Sequence, residues 1–458
     1  MPGPLTSALD DAVDRGGNRR LLYAQETTLS RRGLRIRARK RAAELARAGI
    51  GTGDLVAVAL GPSTETLVNL LACDRIGAPF ILLDPAAGTR ALDELAGALA
   101  VAAALRRPAG DDTAPPSWPG HAVRSRRRLA GGLTIFERLE PALERPRPPA
   151  GTAYVLPAAT TAGAPLFVFR ATDRVCDLLA SLPAAAGIHE GSAIVAAANI
   201  ALAPLFETVV IPWIATAGAL VLDDAPGAKA LATARAAGEP LVALATDREG
   251  GRRAAAGALG TVPWLGVGPT RPPAASERSL RQVAYLEEIG PFAVRDGAGT
   301  SFRPVAPWGA QPGAPMETGG CEWLVAGTGA SERLPRPDED APGTPAGVGR
   351  WLHTGFAARF EGDGPIEILG RDDGLFWYGG TRGSLEGIER CALSVEGVSA
   401  CRAAWETGDD GEPSLVLTIA GPADPERVRG FLREHLAPAF VPAAVRPAVS
   451  EDLPAGAP

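Results

Sequence analysis

Four segments hold residues whose types and spacing suit chemistry. The first, Ala158-Ala-Thr-Thr-Ala-Gly-Ala-Pro-Leu166-Phe167, follows a strand predicted over 153–156. A loop of small residues between strand and helix lets backbone N–H groups cradle a phosphate. Alanine-rich turns are common in this composition, so the loop is weak evidence by itself. The second, Ala284-Tyr-Leu-Glu-Glu-Ile-Gly290, sets two carboxylates beside a tyrosine. A carboxylate there suits a divalent cation, and a solvated helix end explains the same residues as well. The third runs from Trp351-Leu-His-Thr-Gly355-Phe356 to Ile366-Glu-Ile-Leu-Gly370-Arg371-Asp372-Asp373. The fourth is Gly380-Thr-Arg382 through Glu386-Gly-Ile-Glu389 to Leu393. Taken singly, an ordinary turn or surface helix accounts for each of the last two better than a site does.

The elements that must position these segments are partly readable. Ser30 suits a helix N-cap. Leu34, Ile36, Ala43, Leu45 and Ala46 then fall near one face, and Gly49 ends the helix. Gly51 to Asp54 is a turn, and 55–60 is a strand apolar on both faces. A second helix opens at Pro62-Ser-Thr-Glu65, runs to about Asp74 and stops at Gly77. Another apolar strand covers 79–83. Helix, strand, helix, strand with uniformly apolar strands predicts a parallel sheet covered on both faces.

From Arg106 to Gly151 the pattern loosens, with Pro115-Pro116, Arg126-Arg127-Arg128 and a Pro/Arg cluster over 145–149. The arginine run suits a polyanion, but a solvated surface loop is the preferred reading in an acidic chain. Apolar strands and alanine-rich helices alternate again over 153–245, and 327–349 reads as loop. After Gly370, short charged helices (386–393, 424–436) alternate with strands (399–405, 414–419), which predicts a small α+β unit. A hinge falls at Asp372-Asp373-Gly374.

Composition narrows the function classes. The chain has 458 residues, 46% hydrophobic and 21% charged, with a net charge of −6. That is enough apolar content for a sizeable core, and the acidic balance argues against nucleic-acid binding. Cys73, Cys176, Cys321, Cys391 and Cys401 are scattered without a C-x-x-C pair, which disfavours a disulfide framework or structural zinc. His121, His189, His353 and His435 show no metal-ligand spacing. The N-terminal residues do not read as a secretory leader, and the apolar stretch 208–222 is too short to span a bilayer. A cytoplasmic protein without membrane contact is the expectation. Of 46 basic residues only Lys40 and Lys229 are lysines, so arginine-for-lysine drift is the first explanation to weigh for any missing lysine.

Order and spacing together reach further than any single motif. The sequence resembles the adenylate-forming superfamily, which includes acyl- and aryl-CoA synthetases and nonribosomal peptide synthetase adenylation domains. The likeness runs through AAELARAGIGTGDLVAVAL, LLACDRIGAPFILLDP, RWLHTGFAARFEGDGPIEILGRDDG, GTRGSLEGIERCAL and LREHLAPAFVPAAVRPAVSEDLP, in family order. It implies a large N-terminal layered α/β region (1–371), then a small α+β C-terminal domain (372–458). It also implies activation of a carboxylate by ATP and Mg²⁺, giving an acyl-adenylate that passes to a thiol. In such chemistry, cations and oriented N–H groups must offset the charge gathering at the α-phosphate.

By the resemblance, Thr161, Gly163 and Arg371 keep nucleotide-binding positions, Glu288 is the metal-associated carboxylate and Asp373 (or Asp372) is the hinge acid. Other positions depart from the pattern. Leu166 and Phe167 replace the lysine and glycine of the phosphate loop, and the phenyl ring is expected to fill the vacated volume. Phe356 replaces the ribose-binding aspartate, Trp377 a hinge lysine, and no lysine follows Lys229. Leucine, tryptophan and absence are not arginine drift. Each lost electrostatic donor typically costs about 10²–10³ in rate, so the expectation is an impaired homologue acting as a binding or scaffold partner. That partner is a carrier protein or an active synthetase, with ATP and Mg²⁺ as cofactors only if the chain is active. The alternative is an active ligase using Glu288, Arg371 and Arg382. In the stretch that matches the family's amine-binding segment, Asn199 to Glu207, only Glu207 is charged, which disfavours an amino-acid substrate.

Overall fold

The computed structural model describes residues 2–16, 20–24, 27–61, 63–83, 98–107, 122–129, 134–140, 145–158, 166–189, 192–196, 200, 205–216, 218–222, 241–246, 264–267, 280–286, 290–296, 301–305, 308–316, 320–326, 332–333, 352–360, 365–371, 375–378, 381–407, 413–436 and 440–448.

The two early helices form as their caps dictate. Ser30 accepts the Gly33 N–H at 3.0 Å and starts the helix Arg31–Arg47. Ser63 accepts the Thr66 N–H at 3.3 Å and starts Thr64–Ile76, which ends on left-handed Gly77 at φ 69°. The buried stripe of the first helix is Arg31, Leu34, Ala38, Arg41, Ala42 and Leu45. This differs from the expected face: Ile36 is 44% exposed. The stripe is displaced because two of its members are arginines. Arg41 reaches Asn69 Oδ1 at 2.7 Å and Glu65 Oε2 at 3.1 Å, inside the contact between the helices. Arg31 donates to the carbonyls of Ile214, Trp213, Thr216 and Gly218 at 2.6–3.3 Å, and its guanidinium lies 4.9 Å from the Trp213 ring. It thereby collects the orphan acceptors at the end of the helix Ile211–Ala215. Burial, with Arg15 adding repulsion, pulls this guanidinium down to about 10.

Two large sheets carry the bulk of the chain. One has eight strands, ordered Glu332–Arg333, Leu166–Ala171, Thr152–Ala158, Phe80–Leu82, Leu55–Ala59, Val101–Arg106, Ile135–Glu140 and Ala122–Arg128. Its centre is parallel and both ends are antiparallel. Alternation splits its side chains between two cores. Val56, Val58 and Phe80 join the cluster shared with the second sheet, and Leu55, Ala57 and Ile81 line the opposite face. The arginine-rich segment is the edge strand Ala122–Arg128, not a loop. Arg126 meets buried Glu137 at 2.6 Å and Arg124 pairs with Glu140, so carboxylates of the adjacent strand supply part of the charge balance that a loop reading left to solvent.

The other sheet has thirteen strands. Arg20–Ala24, Ala219–Leu222, Ala193–Ala196, Leu241–Thr246, Trp264–Val267 and Leu280–Leu286 run parallel. From Gly290–Asp296 onward the pairing is antiparallel, through Ser301–Pro304, Ile366–Arg371, Leu352–Phe360, Cys321–Ala326 and Gly309–Pro315. This antiparallel arm has its own core of Phe292, Phe302, Trp308, Trp323, Phe356 and Ile366.

The C-terminal residues form a three-stranded sheet (Ala400–Thr407, Pro413–Ala420, Ala444–Pro447) with helices Leu385–Leu393 and Pro425–His435. The two helices and the first two strands follow the expected bounds closely, and the strand Ala444–Pro447 is one the periodicity did not disclose. A hairpin of Leu375–Tyr378 and Thr381–Ser384 packs with this group. The ring of Phe376 meets those of Trp405 and Phe440 at 5.1 and 5.6 Å. Gly383 makes the approach feasible, since a Cβ there would lie 2.5 Å from Phe376 Cζ. The hinge residues Asp372, Asp373 and Gly374 lie outside the described residues. The fold class is as expected, a large layered α/β region followed by a small α+β unit.

Candidate functional site

The candidate phosphate loop joins the antiparallel strands Thr152–Ala158 and Leu166–Ala171, with Ala158 opposite Leu166 at its base. Thr161 and Gly163 lie outside the described residues. Phe167 is described, and its place overturns the expectation that its ring fills phosphate volume. It is 4% exposed and packs with Leu55, Ala57, Ile81, Val155 and Phe169 on the sheet face away from the second sheet. Strand alternation is the reason: Phe167 and Phe169 share one face, and Val168 and Arg170 take the other.

The acidic segment is the second hairpin of interest. Tyr285 lies one residue before the end of the strand Leu280–Leu286, and the chain returns at Gly290, with Leu286 opposite Gly290. This replaces the helix-end reading with a hairpin whose base carries a register shift between Ala284 and Tyr285. Glu287 and Glu288 lie outside the described residues.

Between these two hairpins lies a charged cluster without solvent contact. Arg170 and Glu207 are each 0% exposed. Arg170 Nε donates to Glu207 Oε1 at 2.6 Å and Nη2 to Oε2 at 3.0 Å, and the Tyr154 hydroxyl donates to Oε1 at 2.6 Å. Burial and then the Glu207 charge hold the Tyr154 phenol well above its usual range, so it remains a donor. Burial disfavours the Arg170 cation, but the Glu207 carboxylate outweighs it and the guanidinium ends above its ordinary value. The Arg174 guanidinium lies 4.5 Å from the Trp308 ring, and burial followed by Arg170 repulsion brings it to about 10. Sequence reasoning passed over Arg170 and Arg174. Their signal was two arginines in the otherwise apolar run LFVFRATDRV, a costly composition unless a carboxylate waits inside.

Glu207 owes its aim to an irregular helix. Phe206–Val210 is a π turn, and the Ile211 N–H donates to the Phe206 carbonyl five residues back. Pro212 has no N–H to give Thr208, and its ring crowds that carbonyl, which favours the wider turn.

The remaining sequence-derived positions fall in the antiparallel arm and the C-terminal hairpin. Phe356 and Arg371 are cross-strand partners, so the structure brings these two positions together. Phe356 is 0% exposed, with its ring 6.1 Å from Phe292. The preceding threonine is engaged internally: its hydroxyl donates to the Trp323 carbonyl at 2.6 Å and accepts the Phe356 N–H at 3.1 Å. At the position that the resemblance assigns to the ribose acceptor, the side chain is thus a core phenyl ring with no acceptor to offer. Trp377 and Arg382 are backbone register partners in the C-terminal hairpin. Among the described residues no group of three His, Cys, Asp or Glu is placed to hold a metal ion, and no helix is long and apolar enough to cross a membrane.

Residues 9–156 match the family described as AMP-binding enzyme. The whole chain superposes on the amide bond synthetase McbA from Marinactinospora thermotolerans with a TM-score of 0.78, covering 100% of this chain and 98% of that one at 18% identity. The likeness is one of fold, shared along the whole chain, and residues 9–156 also match the AMP-binding enzyme family in sequence. The o-succinylbenzoate CoA synthetase MenE from Bacillus subtilis, a double mutant with a product analogue, gives a TM-score of 0.75 at 14% identity, covering 100% and 96%. An artificially fused adenylation–PCP di-domain, NpsA-ThdA from Klebsiella oxytoca, gives 0.74 at 17% identity, covering 97% and 94%. A sequence comparison with curated proteins finds no significant match. The Tyr154–Arg170–Glu207 cluster lies between the hairpin of Thr152–Ala158 and Leu166–Ala171 and the hairpin of Leu280–Leu286 and Gly290–Asp296.

Proposed function

We propose that this adenylate-forming homologue has impaired ligase chemistry and acts as a binding or scaffold partner in a biosynthetic pathway, in a cytoplasmic setting. The observation that carries the reading is the burial of Phe356. The family's ribose acceptor has been replaced by a ring that is part of the arm's core. The loss of the loop lysine at Leu166 acts in the same direction. A carrier protein or an active synthetase is the partner class this reading favours. The adenylation–PCP fusion supplies the precedent for the first. Titration calorimetry with Mg-ATP and with AMP tests it: the expected result is no heat in the micromolar range, and micromolar affinity overturns it.

A second reading, an active carboxylate-activating ligase, draws support from the C-terminal unit, which keeps its own core and an attached hairpin. ATP and Mg²⁺ would be its cofactors, with Thr161, Gly163, Arg371 and Arg382 on the nucleotide and Glu288 on the metal. A division at 371/372, with the hinge at Asp373, belongs to this reading. Since Glu207 is already neutralised by Arg170, the acid activated would lack an ammonium group. Pyrophosphate release over a panel of aryl and fatty acids decides between the readings.

A further inference from the structure

We infer that Glu207, held by Arg170 and Tyr154, is a positioning residue that sets the hairpin of Thr152–Ala158 and Leu166–Ala171 against the hairpin of Leu280–Leu286 and Gly290–Asp296. Three separate stretches of chain converge on its carboxylate. Tyr154 and Arg170 are cross-strand partners on the first hairpin. Glu207 comes from the π turn, and Gly290 opens the return strand of the second hairpin. Gly290 sits so close that a Cβ there would lie 2.9 Å from Glu207 Oε2 and 3.4 Å from Arg170 Nη2, and its φ of 84° is one that side-chain-bearing residues avoid.

The contacts fix direction as well as distance. The guanidinium meets both carboxylate oxygens in a two-point pair, which defines an angle that an apolar contact leaves free. Tyr154 is itself clamped, its ring stacked 5.4 Å from Phe80 and edge-on to Phe206 at 5.1 Å. Stability alone gives no reason for such an arrangement. A buried ion pair replaced by apolar side chains of similar volume is often as stable or more so, because two desolvation penalties disappear. Leu205, Phe206, Val209 and Val210 around Glu207, and Val168 beside Arg170, are apolar and buried, and Arg174 on the Trp308 ring is a further charge near the pair. What the charged triad adds is a single relative placement of two hairpins that belong to different sheets.

The test is amide hydrogen exchange on the full chain without nucleotide, so its outcome is independent of whether ATP binds. The double variant Arg170→Met with Glu207→Met removes both charges at similar volume. It is expected to melt below the parent, because the Tyr154 hydroxyl loses its acceptor, while exchange rises about tenfold in peptides covering 152–158, 166–171, 280–286 and 290–296 and stays unchanged in the C-terminal unit. Unchanged exchange at both hairpins overturns the inference, and so does an equal rise everywhere. Should the double variant not fold, Tyr154→Phe carries the test. It keeps the ion pair and should raise exchange about threefold at the same two hairpins. No local rise in that variant overturns the inference as well.

Discussion

The rings of Phe356 and Phe292 lie 6.1 Å apart inside the antiparallel arm, and neither side chain reaches solvent. A carboxylate placed at 356 would enter that apolar cluster. Phe356→Asp is therefore expected to lose about 3–5 kcal/mol of stability in urea unfolding, with no gain of AMP affinity by calorimetry. A variant that keeps its stability and acquires micromolar AMP binding would show the position to face the cleft.

Leu166 stands where the resemblance places the loop lysine. Leu166→Lys alone is expected to leave pyrophosphate release at background, because groups that act as a unit are not restored one at a time. Release rising well above background with any acid of the panel would count against an impaired cleft.

Asp74 is buried and accepts the Thr6 N–H at 2.7 Å, at the start of the helix Pro4–Gly16. Burial raises its carboxyl above the ordinary 3.8, and the bonds from Thr6 and Leu5 oppose that only in part. A group whose folded value is raised contributes most below its unfolded value and loses that contribution as pH rises through the folded one. Asp74→Asn should therefore gain stability relative to the parent as pH is raised from 3.8 towards neutrality. Denaturant melts of both proteins across that range check it, and a difference independent of pH refutes it.

Arg31 serves four backbone carbonyls at once. Arg31→Met leaves buried acceptors without a donor, and a loss of about 3 kcal/mol is expected. Arg31→Lys should recover only part of it, since a single ammonium cannot span the same acceptors. Thermal melts of the two variants separate these outcomes, and equal stability of Lys and Arg would contradict the geometry.

Much of the fold could be read from the chain because its signals are local. Ser30, Ser63 and Gly77 bound their helices by cap chemistry, and the C-terminal helices and strands fall within a few residues of their periodic patterns. What escaped was long-range. Arg31 and Arg41 are not among the residues that spacing assigns to the buried face, since nothing near them in sequence discloses the carbonyls and carboxylate they meet across the fold. Glu207 likewise looked like a lone charge closing an apolar stretch, because its partner Arg170 lies 37 positions away. The pairing of Phe356 with Arg371 was visible only as proximity along the chain, and Phe167 needed the strand's facing to show which core it enters.

The strand Ala122–Arg128 closes one side of the eight-stranded sheet, so one row of its backbone groups has no neighbouring strand among the described residues. Such a border is a template on which a second molecule can stack. Four arginines in seven residues crowd that border with charged side chains, which disfavours strand addition even with Arg124 and Arg126 paired to Glu140 and Glu137. The cationic segment is thus explained as a guard against self-association, and its loss should show first as turbidity at high concentration.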